Sequence, residues 1–223
     1  GYLPELTQLA ESGVRFDNFY AHQKQTDRGT YAILCGDYPN MATKESKMQL
    51  VGARDAPDNC LTHDLNNAGY RTVYLQSAPI GFMSKDVFMQ AIGFDEIYDN
   101  REMPEAYASS PWGVDDRRFY EEIQTKVKRL ESEGQPWMLT ALTSGTHHPY
   151  IVPDDVAAQD PSLETAFRYS DQYLVRLIKQ LKTSGILDTT VVIITSDEAA
   201  GLPDSMADTS MEDNRLFTLV LTP

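Results

Sequence analysis

Thr190-Val191-Val192-Ile193-Ile194-Thr195 runs directly into Ser196-Asp197-Glu198. Six β-branched residues in a row fit an extended strand far better than a helix, where their χ1 freedom is lost. Two acids at the carboxyl end of such a strand are costly unless a cation meets them. Hard divalent cations take carboxylate oxygens. The same residues also fit an Asp N-cap opening the next helix.

Upstream of this strand, Gly185 closes an amphipathic helix over residues 163–182, with Ala166, Tyr169, Tyr173, Leu177 and Leu181 on its apolar stripe. Residues 137–142, Trp-Met-Leu-Thr-Ala-Leu, read as a buried strand, and residues 116–130 as a long helix before it. Shorter helices are expected at 61–68 and 85–92, closed by Gly69 and Gly93, with a strand at 71–75 between them. Residues 4–11 form a helix stopped by Gly13, and 14–20 alternate apolar and polar as a strand does. A helix opens near Thr30, 36–57 lack periodicity, and 216–221 form a last strand. Strands alternating with helices predict one α/β domain over 1–223: a three-layer sandwich whose mostly parallel central sheet is flanked by helices. Both ends read as cut, so the chain is expected to be a piece of a longer protein.

The formal net charge is −14. It argues against a nucleic-acid partner, whose phosphate backbone demands Lys and Arg. It leaves room for an anionic substrate held by a metal and a few local cations. No run approaches the roughly 18 apolar residues of a membrane span. Cys35 and Cys60 fit either two buried thiols or a single disulfide in an oxidising compartment.

Ligands of parallel α/β sheets bind at the carboxyl ends of the strands. Three loops lie there. Gln25-Thr26-Asp27-Arg28-Gly29 places a hydroxyl and an arginine at the mouth of a helix, where amides favour an anionic oxygen. An N-cap threonine beside a surface arginine is the plainer alternative. Thr146-His147-His148-Pro149-Tyr150 follows the 137–142 strand; one histidine could face a phosphate oxygen or a leaving group, or both could be surface residues. Ser196-Asp197-Glu198 is the third. Trp112 reads as core or rim, and Asp115-Asp116 as a helix cap rather than a second metal site.

Together these loops resemble the alkaline-phosphatase/sulfatase superfamily, and within it the lipoteichoic-acid-synthase and phosphoglycerol-transferase branch. The resemblance covers essentially the whole chain. It implies that Thr26 is both nucleophile and metal ligand, and that His147, from a His-x-Pro-aromatic motif, contacts the transferred phosphoryl group. Asp197 and Glu198 correspond to an Asp-His metal pair, and Phe82-Met83-Ser84-Lys85-Asp86 to a Phe-Trp-Asn-Arg-Asp segment that holds the headgroup. Lys85 therefore joins Arg28 and Gln76 as an expected substrate-binding residue. Glu198 in place of histidine makes the site harder and more anionic, and Lys85 is a point charge without arginine's fork. The family's further acidic ligand lies on an earlier strand not in this chain. Threonine at the nucleophile position argues against the formylglycine of sulfatases.

The implied activity is transfer of a phosphoglycerol- or phosphoethanolamine-type group from a lipid or other phosphodiester donor to a hydroxyl, through a phospho-threonine. The implied cofactor is one divalent metal, Mn²⁺ first, with Mg²⁺, Ca²⁺ or Zn²⁺ as alternatives. The implied setting is extracytoplasmic, with a membrane anchor outside this chain. A hydrolase using water as acceptor, and a non-catalytic binding domain that has lost its metal, stand as the rival readings.

Overall fold

The computed structural model describes residues 2–21, 25–38, 59–156, 162–199 and 214–223. Most of the stretch expected to be irregular, from 39 onward to 57, lies outside them. The elements run α1 (Pro4–Leu9), β1 (Val14–Arg15), α2 (Thr26–Cys35), α3 (Leu61–Asn67), β2 (Arg71–Gln76), α4 (Lys85–Ala91) and β3 (Glu96–Tyr98). Then follow β4 (Ser109–Ser110), β5 (Gly113–Val114), α5 (Asp116–Glu133), β6 (Trp137–Leu142), α6 (Leu163–Thr183), β7 (Val192–Ile194) and β8 (Leu219–Leu221). No helix among the described residues is long and apolar enough to cross a membrane.

The parallel sheet has the order β3-β2-β6, with Tyr74 opposite both Ile97 and Thr140. β2 is its centre, and Val73, Tyr74 and Leu75 are fully buried. Alternation along β2 sends successive side chains to opposite faces. Tyr74 packs with Phe88, Ile92 and Phe94 toward α2 and α4. Leu75 packs with Phe119, Ile123, Val127 and Leu177 toward α5 and α6. Helices thus cover both faces, as the sequence pattern requires, and each large side chain buried this way contributes roughly 1.5–3 kcal/mol. The expected three-layer α/β sandwich is what forms.

The glutamate that opens β3 ties this sheet to α5. Glu96 accepts from Arg71 at 2.8 Å and from Arg129 at 2.6 Å, and it also pairs with the Tyr98 hydroxyl. Burial alone would raise its pKa, but these hydrogen bonds outweigh burial and bring it down to about 2.

A second sheet, β1-β8-β7, is antiparallel throughout. Leu219 and Leu221 on β8 pack with Leu6 of α1 and with Val175 and Ile178 of α6. β7, expected to belong to the mostly parallel central sheet, instead pairs antiparallel with β8 alone among the described residues, and Ile193 is 65% exposed. β-branching set its conformation; it did not set its neighbours. The strand expected over 14–20 shrinks to Val14–Arg15, followed by a single bridge between Tyr20 and Arg215.

Helix ends account for several buried acids. α1 has no cap of its own; Asp171 of α6 accepts from the Glu5 and Leu6 amides at 2.8 and 2.7 Å. Asp115 caps α5 by accepting from the Arg118 amide, as expected. Cys35 and Cys60, open in the sequence, are joined as a disulfide linking the end of α2 to the start of α3.

Candidate active site

α2 opens four residues earlier than its sequence suggested. Gln25 occupies the cap position without a capping side chain, and Thr26 is the first helical residue. Thr26 is therefore not the N-cap. Its hydroxyl turns outward from the helix and donates to Glu198 Oε1 at 3.2 Å, beside the Asp197 carboxylate. Two segments some 170 residues apart in sequence thus meet at one oxygen.

Gly29 explains how they come so close. A Cβ there would lie 1.8 Å from the Asp197 carbonyl oxygen, so only glycine lets the first turn of α2 press against the loop after β7. The functional signal in Gln25-Thr26-Asp27-Arg28-Gly29 is thus shared between a hydroxyl and an absent side chain.

The charges here are mostly negative and poorly solvated. Burial pushes the Asp197 carboxyl up, against hydrogen bonds from backbone amides and Thr26 and the charge of Lys85. Burial, then the neighbouring Asp197, pushes Glu198 up, while Thr26 and the charge of His147 pull it down. Lys85 is 2% exposed; burial pushes its ammonium down, and Asp197 with Asp27 holds it up. Asp27 is buried in the first turn of α2 and faces both Lys85 and Glu198. The sequence reading passed over it, because only burial next to these charges gives it a role.

Lys85 begins α4 after two consecutive left-handed residues, Met83 (φ 57°) and Ser84 (φ 56°). Non-glycine residues rarely adopt this region, and such strain concentrates at functional sites. The turn aims Lys85 inward beneath Phe82, whose ring centroid is 5.2 Å from Nζ.

The third loop approaches from β6. His147 is exposed, stacks on Trp112 with ring centroids 4.2 Å apart, and bonds the His148 carbonyl through Nδ1 at 2.7 Å. Trp112 in turn meets Phe82 edge-on at 5.2 Å, so it forms part of the rim. His148 points elsewhere, against Tyr150. Arg28 lies half-buried on the first turn of α2.

Gln76 sits differently from the other expected substrate-binding residues. It is fully buried, its amide donates to the Ala78 and Pro79 carbonyls, and its oxygen accepts from Tyr74. Its polar groups are spent on shaping the turn after β2, a role its place at a strand end could not reveal.

The donor set fits a hard divalent cation. Thr26, Asp197 and Glu198 offer oxygen ligands, and Asp197 Oδ2 is buried without a hydrogen-bond partner among the described residues. No group of three His, Cys, Asp or Glu side chains close enough to hold a metal occurs among them.

Known proteins share this sequence pattern and fold. The sulfatase family profile matches residues 1–215. The phosphoglycerol transferase I of Xanthomonas euvesicatoria pv. vesicatoria (strain 85-10) is 29% identical over 230 residues, spanning 96% of this chain and 33% of that protein. The chain therefore spans about a third of that relative's length. The lipoteichoic acid synthase LtaP from Listeria monocytogenes superposes with a TM-score of 0.85 at 19% identity, over 100% of this chain and 60% of that one. An alkaline phosphatase superfamily protein from Vibrio parahaemolyticus gives 0.86 at 24% identity, over 99% and 54%. With a profile match over residues 1–215, the chain belongs to the sulfatase family, and it shares its fold with these solved structures.

Proposed function

We propose that residues 1–223 form a single catalytic domain of a metal-dependent transferase. It moves a phosphoglycerol- or phosphoethanolamine-type group from a lipid or glycan phosphodiester to a hydroxyl acceptor. The observation that carries this reading is the Thr26 hydroxyl held on Glu198, with Asp197 and the buried Lys85 beside them. The likeness to phosphoglycerol transferase I supports the choice of group.

A divalent cation held by Thr26, Asp197 and Glu198, Mn²⁺ foremost, would lower the pKa of the hydroxyl and polarise a phosphoryl oxygen. The chain's own residues do the rest. Thr26 Oγ1 attacks phosphorus and its proton passes to Glu198 Oε1, 3.2 Å away. The bond from phosphorus to the donor's alcohol breaks, and that oxygen takes a proton from His147. Lys85 and His147 offset charge on the non-bridging oxygens. The acceptor hydroxyl then attacks the phospho-threonine and gives its proton to His147, while Thr26 Oγ1 leaves and recovers its proton from Glu198.

The setting is extracytoplasmic, and the anchor expected for the full-length protein lies outside this chain. The Cys35–Cys60 disulfide supports that setting, since such bonds persist where the compartment is oxidising.

The test uses the full-length protein and a chromogenic phosphodiester, with and without Mn²⁺. Thr26→Ala is expected to lose turnover by more than about 10³-fold, and the wild type to show a phosphoryl adduct on Thr26 by mass spectrometry. Unchanged turnover in Thr26→Ala would sink the proposal. Product analysis with glycerol as acceptor separates transfer from hydrolysis.

A further inference from the structure

Asp116 is a buried acid that the capping of α5 does not use. Asp115 does that work: it accepts from the Arg118, Tyr107 and Ala108 amides and from the Tyr169 hydroxyl at 2.7 Å. Asp116, the first helical residue, is fully buried, and burial followed by the charge of Asp115 pushes its carboxyl up to about 6, against hydrogen bonds from Ser170 and the Gly145 amide. A buried carboxylate with no capping duty costs stability. Tyr120, whose hydroxyl pairs with Ser170 at 3.1 Å, faces it from the same helix.

The directed contact of Asp116 is with the loop that carries His147. Oδ1 accepts from the Gly145 amide at 3.2 Å, and a Cβ on Gly145 would lie 2.5 Å from that same oxygen. The loop is laced together just beyond this grip. The His147 amide donates to the Ser144 carbonyl at 3.0 Å, and Ser144 pairs its hydroxyl with Ser77, past the end of β2, at 2.7 Å. Trp112, four residues before Asp116, stacks on the His147 ring. One short segment therefore touches this loop twice, at its backbone through Asp116 and at its imidazole through Trp112.

We propose that Asp116 is a positioning residue that holds His147 in place by gripping the Gly145 amide. The proposal rests on the reading of His147 as the substrate-facing histidine. The cost of burying the acid is accepted because a neutral apolar residue could not accept the Gly145 N–H.

The test has two arms on the full-length protein. Hydrogen–deuterium exchange of peptides covering 143–150 reads the loop without needing turnover. Asp116→Ala is expected to speed exchange there while β2 and the middle of α5 keep their protection, and to lower kcat roughly 10- to 100-fold. Asp116→Asn, which keeps the acceptor oxygen, is expected to restore both. Exchange that rises equally along α5, or a loop that stays protected in Asp116→Ala, overturns the proposal. So does Asp116→Asn behaving like Asp116→Ala. If Asp116→Ala does not fold, Gly145→Ala presses on the same contact, and unchanged loop exchange in that variant also overturns it. Absent turnover in the wild type counts against the transferase reading alone; the exchange arm still decides on Asp116.

Discussion

The two sides of the site are made differently. On one side, Lys85 and Asp27 are buried, Thr26, Asp197 and Glu198 are half-buried, and α2 lies against the loop after β7 with no room for a methyl group at Gly29. On the other side, His147 and His148 are exposed, and their loop is fixed from within through Gly145 and Ser144. The contrast separates two tasks. Groups that must hold unbalanced charge are best kept in a dry, crowded place, where each electrostatic interaction is stronger. A group that meets an incoming substrate needs access to solvent, and its accuracy must come from the layer behind it.

If that division is right, the crowded side should tolerate no added volume. Gly29→Ala sets a Cβ against the Asp197 carbonyl backbone. The expected result is a loss of about 3 kcal/mol of unfolding free energy, measured by denaturant titration, together with loss of turnover. A variant of normal stability and activity would show that the two segments are not in contact.

The open side should reveal its cost through pH. Asp116 has a carboxyl raised to about 6 from an ordinary 3.8. The folded state then binds more protons than the unfolded state between those values, so stability falls as pH rises through that window and the loss is complete above it. Asp116→Asn should remove this slope. Its advantage over wild type should grow from pH 4 to pH 6.5, by up to about 3 kcal/mol. Parallel stability curves for the two proteins would refute the assignment.

The seam beside Lys85 gives the smallest effect. Ser84→Gly relieves a left-handed residue and is expected to raise stability by about 1 kcal/mol in thermal or urea unfolding. Turnover should hold if the strain is incidental, and fall if it aims Lys85.

Much of this architecture could be read from the chain alone. The long helices α5 and α6 are plain from periodicity, because each buries one face, and the strands β2 and β6 from their runs of apolar and β-branched residues. β3 was not, since Glu96-Ile97-Tyr98 is too short to show a period and is fixed by pairing with β2 and by Arg71 and Arg129. The start of α2 was missed because no side chain caps it. Among site residues, Thr26, Asp197, Glu198 and Lys85 were named from motif order and do converge. Asp27 was not, Asp116 was read as part of a helix cap, and Gln76 lies enclosed with its amide bonded to the turn after β2. All three depend on which atoms are enclosed, which no local pattern encodes.

The helix that carries Thr26 is pinned at both ends, by backbone packing at Gly29 and by a covalent bond at Cys35. A rod fixed at two points does not pivot, so the direction in which Thr26 points depends on a bond that forms by oxidation during maturation.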